Sequence, residues 1–217
     1  EMEVRKLHMG TGKRGDIFRH FIDDVRCVIA VTAEVDVTAL RALCRSRGLR
    51  FYPAYLYVIS RAVNRQEALR MGWDAAGNPG IWDEVWPSYV VFHPEDALFT
   101  RLVTPLSDRF DRFYAAAVQT MEQNAGLRGF GFAPVPPNLF DVSIVPWLSY
   151  QALTLHVQDA GRYLAPIVTA GKYTERAGRW YLPLSIQIHH AAADGWHVSR
   201  FYADVQDEID GICSTRG

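Results

Sequence analysis

The chain has 217 residues, 49% of them hydrophobic and 22% charged, which is enough apolar side chain for a sizeable core. Its formal net charge of -1 gives it no overall pull toward a nucleic-acid backbone or an anionic membrane. No run approaches the ~20 apolar residues of a membrane span. The opening "EMEVRKLHMGTGKRGD" lacks the apolar core of a secretory signal. Cys27, Cys44 and Cys213 form no CxxC pair, so a reducing cytoplasm is expected rather than a disulfide framework.

Residues 27–35, "CVIAVTAEV", are β-branched and apolar and read as a strand. Asp36 is placed to cap the helix "VTALRALCRSRG", with Gly48 as its stop. Pro53 suits the first turn of a second helix over 53–71. "GWDAAGNPG" is turn chemistry, and 88–94 and 97–103 read as paired strands. Phe110, Phe113, Tyr114, Ala117, Val118 and Met121 recur at helical spacing. The Gly- and Pro-rich stretch 126–140 reads as a loop long enough to have a role. Residues 140–147, 150–157 and 163–173 read as strands.

In "WYLPLSIQIHH", residues 180–190, Leu182, Leu184, Ile186 and Ile188 alternate with Pro183, Ser185 and Gln187. If the strand continues, His190 shares the apolar face and His189 points the other way. A last helix starts near Gly195, with Val198, Phe201, Tyr202, Val205, Ile209 and Ile212 as its stripe. Without a repeat or linker, these elements predict one domain over 1–217. Its class is α/β, of the α+β sandwich kind: a mixed β-sheet covered by helices.

The chemistry concentrates in "SIQIHHAAADGWHVSRF", residues 185–201. A neutral imidazole at His190 can take and return a proton near pH 7. The same residue can equally be a hydrogen-bonded core histidine. Two histidines with a carboxylate four residues on can also suggest zinc, but a strand pleat aims adjacent rings apart and no third ligand cluster is evident. Asp194 by itself can be simply the N-cap of the last helix.

"QIHHAAADGWHVSRF" resembles the HHxxxDG signature of the chloramphenicol acetyltransferase family. So do "RFYPAYLYVISRAVN", "IWDEV", "VFHPED", "VSIVPW", "LAPIVTAGKY" and "LPLSIQIHH", in the same order, over about residues 14–210. HxxxD alone is shared by several acyl-transfer families; the ordered blocks are specific.

The resemblance implies a CoA-dependent acyltransferase-like fold and transfer of acetyl from acetyl-CoA, as cosubstrate and without a metal, to a hydroxyl of chloramphenicol. It implies His190 as general base and Ser143 as hydrogen-bond donor to the tetrahedral oxyanion. It gives Thr169 a water near that intermediate, and Asp194 a structural pairing with Arg14. Phe21, Cys27, His20, Leu153 and Leu155 become candidates for the acceptor pocket, and Trp147, Lys172 and Tyr173 for the CoA tunnel. The implied protein is a bacterial, cytoplasmic antibiotic-resistance enzyme. It is a homotrimer, with His190 of one subunit facing an acceptor pocket of the next.

Two positions depart from the family. A frequent aromatic pair reads His20-Phe21, and an asparagine two residues before Ser143 reads Asp141. A carboxylate there is compatible with an oxyanion only if it points away or is neutralised. The alternatives are an acyltransferase of the same fold with another alcohol acceptor, or a catalytically silent protein that binds the drug or a CoA ester. Dihydrolipoamide acyltransferase cores share the motif but usually follow lipoyl domains. Condensation-type enzymes are about twice as long, with two related halves.

Overall fold

A computed structural model describes residues 4–6, 14–131, 134–156 and 160–214. The chain runs through β1 (Val4–Lys6), α1 (Gly15–Arg19), β2 (Val28–Asp36), α2 (Thr38–Arg47) and α3 (Phe51–Asn64). It continues with β3 (Met71–Trp73), β4 (Pro79–Trp82), β5 (Trp86–His93), β6 (Leu98–Val103) and α4 (Phe110–Gln123). Last come β7 (Gly129–Phe130), β8 (Leu139–Ile144), β9 (Ile167–Ala170), β10 (Thr174–Arg176), β11 (Arg179–His189) and α5 (Gly195–Ser214).

An eight-stranded mixed sheet has the order β10-β11-β9-β8-β5-β6-β7, with β2 paired to β11. β8 is parallel to both β5 and β9, while β11 is antiparallel to β2 and β9. A smaller sheet has the order β1-β4-β3. Among the described residues, no helix is long and apolar enough to cross a membrane.

β11 is the spine. Its residues from Leu182 to His189 are buried on both faces. Leu184, Ile186 and Ile188 lie in the core with Phe201, Val205 and Ile209 of α5. The single hydrogen of the Tyr202 hydroxyl on α5 is shared between the carbonyls of Leu184 and Val31, 2.7 and 2.9 Å away, and so ties the helix to both strands. The opposite face carries Ser185 and Gln187 under the segment 148–156.

Local chemistry sets the ends as expected in several places. The Asp36 carboxylate accepts the Thr38 N–H at 2.9 Å as α2 begins. Gly48, at φ +64°, ends α2 in the left-handed region where a side chain is costly. Pro53 sits in the first turn of α3.

Elsewhere the fold differs from the sequence expectation. α3 stops at Asn64, and 67–70 form a 3-10 turn before β3. Residues 72–80 are not only a turn: β3 and β4 pair around the Asp74–Asn78 bend. Within 126–140, Gly129–Phe130 form β7 and Leu139 opens β8; Phe132 and Ala133 lie outside the described residues.

Residues 150–156 are not a strand, and Val157 lies outside the described residues. The Leu153 and Leu155 N–H groups bond side-chain oxygens of Thr32 and Gln187 instead of a strand ladder. In 163–173 only Ile167–Ala170 pairs. β11 ends at His189, so His190 belongs to the following turn and the alternation rule does not reach it.

Candidate active site

Two groups of residues stand apart on the sheet. The first surrounds His190. Its backbone N–H donates to the Cys27 carbonyl at 3.0 Å, which continues the β2–β11 register past the end of the strand. Its ring stacks on Phe21, centroids 3.9 Å apart and 6° from parallel. The Nδ1 atom is buried with no hydrogen-bond partner among the described residues.

Phe21 reaches this position because α1 leads into a π turn at His20–Asp24. His20, next to it, faces outward. Its ring meets Asp24 at 3.3 Å and packs edge-on to Phe21.

Asp194 anchors this group. Its Oδ2 accepts from Arg14 at 2.7 Å. Its Oδ1 accepts from His197 Nδ1 at 2.9 Å and from the Trp196 N–H at 3.0 Å. Burial alone raises an aspartate pKa, but here the hydrogen bonds from Arg14 and His197 outweigh it and hold the carboxyl well below its ordinary range. Asp194 is thus both helix N-cap and ion-pair partner, and Arg14 is no solvated tail charge.

His189 is a buried neighbour with a different environment. Its Nδ1 accepts the Ala191 N–H at 3.1 Å. Burial, with the nearby His190, pushes its pKa down and favours the neutral ring.

The second group is centred on Ser143 and Thr169, which face each other across the parallel β8–β9 pair with hydroxyls 2.9 Å apart. Tyr150 donates to the Thr169 carbonyl at 2.6 Å. Ser185 reaches Tyr150 at 3.4 Å and Thr32 at 2.6 Å. Gly171 allows this closeness. A Cβ there would meet Pro183 and Tyr150 carbons at 2.8 Å and the Leu148 carbonyl at 2.9 Å.

Asp141, two residues before Ser143, is neutralised by hydrogen bonds from Arg101 and Tyr163. Leu153 and Leu155 run along the sheet nearby, their N–H groups bonded to Thr32 at 3.3 Å and Gln187 at 2.9 Å.

The register separates the two groups. Thr169 stands opposite Ser185. His189 lies four residues along β11 from Ser185, about 13 Å at a strand's rise, and His190 lies beyond it. Within one chain, His190 and Ser143 are therefore too far apart for both side chains to meet one reacting carbonyl.

Trp147 and Tyr173 line one groove of about 370 Å³ with Phe51, Tyr52, Phe92 and Ile144. Trp147 is 62% exposed and packs edge-on to Phe92 at 4.6 Å. Lys172 is exposed next to Tyr173, its N–H bonded to the Leu148 carbonyl at 2.8 Å. Among the described residues no group of three His, Cys, Asp or Glu side chains is arranged to hold a metal ion.

Residues 2–206 match the sequence family described as chloramphenicol acetyltransferase. The chain belongs to that family. The relatives of this chloramphenicol acetyltransferase family member include the chloramphenicol acetyltransferases of Streptomyces acrimycini and Staphylococcus aureus. The first is 40% identical over 92% of this chain and 91% of the relative. The second is 33% identical over 96% and 97%. A solved chloramphenicol acetyltransferase structure superimposes with a TM-score of 0.81. It is 24% identical and covers 96% of this chain and all of that one. The mixed sheet with its helices is therefore a chloramphenicol acetyltransferase fold.

Sequence reasoning missed Tyr150 and His197. Tyr150 sat inside a segment read as a strand. His197 was visible as a third histidine, three residues after Asp194, the spacing at which an N-cap carboxylate meets the first helical turn.

Proposed function

We propose that this protein transfers acetyl from acetyl-CoA to a hydroxyl of chloramphenicol and so confers resistance to it. The whole-length match to proteins named chloramphenicol acetyltransferase carries the reading. In it, His190 takes the proton of the acceptor hydroxyl as that oxygen attacks the thioester carbonyl. Thr169 donates to Ser143, which frees the Ser143 hydroxyl to donate to the tetrahedral oxyanion. Losing a donor of that kind costs about 10²–10³-fold in rate. On collapse, His190 returns its proton to the departing thiolate. Arg101 and Tyr163 keep the Asp141 charge from opposing the oxyanion.

The groove lined by Trp147 and Tyr173 fits a thin, largely apolar arm such as pantetheine, and Lys172 is a cation at hand for a phosphate. Phe21, Cys27, Leu153 and Leu155 serve as acceptor wall. His20 sits at its outer rim.

The active unit is a homotrimer in which His190 of one subunit meets Ser143 of the next. Two observations support this. The two groups are too far apart within a chain, and the edge strand β2 leaves Val28 and Val31 exposed beside an exposed Leu155. The whole chain acts as one catalytic domain in the cytoplasm, where acetyl-CoA is available.

The test is to mix purified protein, acetyl-CoA and chloramphenicol and follow thiol release. Turnover is expected, and His190→Ala abolishes it with the assembly size unchanged. No turnover with chloramphenicol, or a near-normal rate in His190→Ala, overturns the reading.

A further inference from the structure

We infer that His197 is a positioning residue for His190, acting through Asp194, Arg14 and Phe21. This rests on the reading of His190 as the base. Nδ1 of His197 has two neighbours on Asp194, the backbone N–H at 3.3 Å and Oδ1 at 2.9 Å; an ionised carboxylate only accepts hydrogen bonds, so the shorter contact places the hydrogen on His197 Nδ1. His197 and Arg14 therefore grip one carboxylate from two sides, one oxygen each.

His197 is itself held. Gln66 donates to its carbonyl and to the buried Asp204 carboxylate, both at 3.2 Å. Asp204 is paired in turn with Arg65 and Arg200, each at 3.3 Å. This gives the grip a fixed base on α5.

The other end of the grip is Arg14, which opens α1: its carbonyl accepts the Phe18 N–H at 2.8 Å. One short helical passage then carries Phe21 onto the His190 ring. The flat support that Phe21 gives the imidazole thus depends on where Arg14 is pinned. If the His197 ring donor is lost, Oδ1 keeps only the backbone N–H groups of Trp196 and His197, at 3.0 and 3.4 Å; the hold on the Asp194 carboxylate loosens, and Arg14, α1 and Phe21 shift with it. A misplacement of about 1 Å at a reacting group costs up to about 10²-fold in rate.

The experiment compares His197→Leu, which removes the donor, with His197→Asn, whose side-chain nitrogen falls close to the place of Nδ1. His197→Leu is expected to lower kcat at least about tenfold while KM for either substrate stays within about twofold, and His197→Asn to recover most of the loss. In the wild type, proton NMR places the His190 ring signals upfield because they lie over the Phe21 ring. In His197→Leu they move downfield; in His197→Asn they stay.

Wild-type kcat and unmoved His190 signals in His197→Leu would overturn the proposal, as would equal damage from Leu and Asn. If His197→Leu does not fold, His197→Gln replaces it, since its amide reaches the Nε2 position and leaves Oδ1 without a side-chain donor. A wild-type protein that turns over neither substrate sinks the functional reading alone. The NMR comparison needs no turnover and still decides the positioning.

Discussion

Two inactive variants of this protein should restore each other. In the proposed reaction His190→Ala removes the base, a loss of about 10²–10⁴-fold. Ser143→Ala removes the proposed oxyanion donor, a loss of about 10²–10³-fold. The strand register puts these groups more than about 13 Å apart in one chain, so the proposed site takes one from each of two subunits. In trimers formed at random from equal amounts of the two variants, each partner at a boundary is the right one half the time. About a quarter of the sites are then intact. The mixture, unfolded and refolded together, should regain about a quarter of wild-type thiol release, at least about 25-fold above either variant alone. Variants refolded separately and then mixed provide the control. A co-refolded mixture no more active than this control would mean that His190 and Ser143 act within one chain, and the two-subunit site would be wrong.

Other expected outcomes follow from the packing and charge. Gly171→Ala places a Cβ within 3 Å of Pro183, Tyr150 and the Leu148 carbonyl; the overpacking should cost about 1–3 kcal/mol in urea unfolding. An unchanged midpoint would mean the segment 148–150 yields freely. The Asp194 pKa is depressed in the folded protein, so its contribution is complete above the unfolded carboxyl's ordinary range near pH 4 and fades as pH falls below it. The stability gap between wild type and Asp194→Asn should accordingly be full at pH 7 and narrower at pH 3; a gap that widens on acidification contradicts the ion pair. Burial pushes the Cys44 thiol up to about 11. A thiolate-directed reagent at pH 8 should therefore leave Cys44 unmodified in the folded protein, and rapid labelling, read by mass spectrometry, would count against that packing.

Much of the fold could be read from local pattern. The alternation of Leu182, Leu184, Ile186 and Ile188 is β11, and the stripe from Val198 to Ile212 is α5. Alternation failed one residue too late, because the strand ends at His189 and His190 is set by the Cys27 carbonyl and the Phe21 ring. The strand reading of 150–157 also failed over 150–156, where side chains of Thr32 and Gln187 replace a neighbouring strand as hydrogen-bond partners. Periodicity alone cannot distinguish those partners. The neutralisation of Asp141 was equally hidden, since Arg101 lies 40 residues away and carries no local signal. The resemblance supplied His190, Ser143, Thr169, Asp194 and Arg14, while composition and spacing alone left His190 open between base, core residue and metal ligand.

The Arg14–Asp194 pair joins residues 180 apart in sequence. Closing so large a loop is entropically costly, and contacts of this range are among the slow ones to form. The 180 residues between them must also be synthesised before Asp194 exists to be gripped. The hold beneath the His190 group is consequently complete only once the stretches around Arg14 and Asp194 have found each other. On the proposed reading, a chain that has built much of its sheet is still short of a working base until that long-range closure is made.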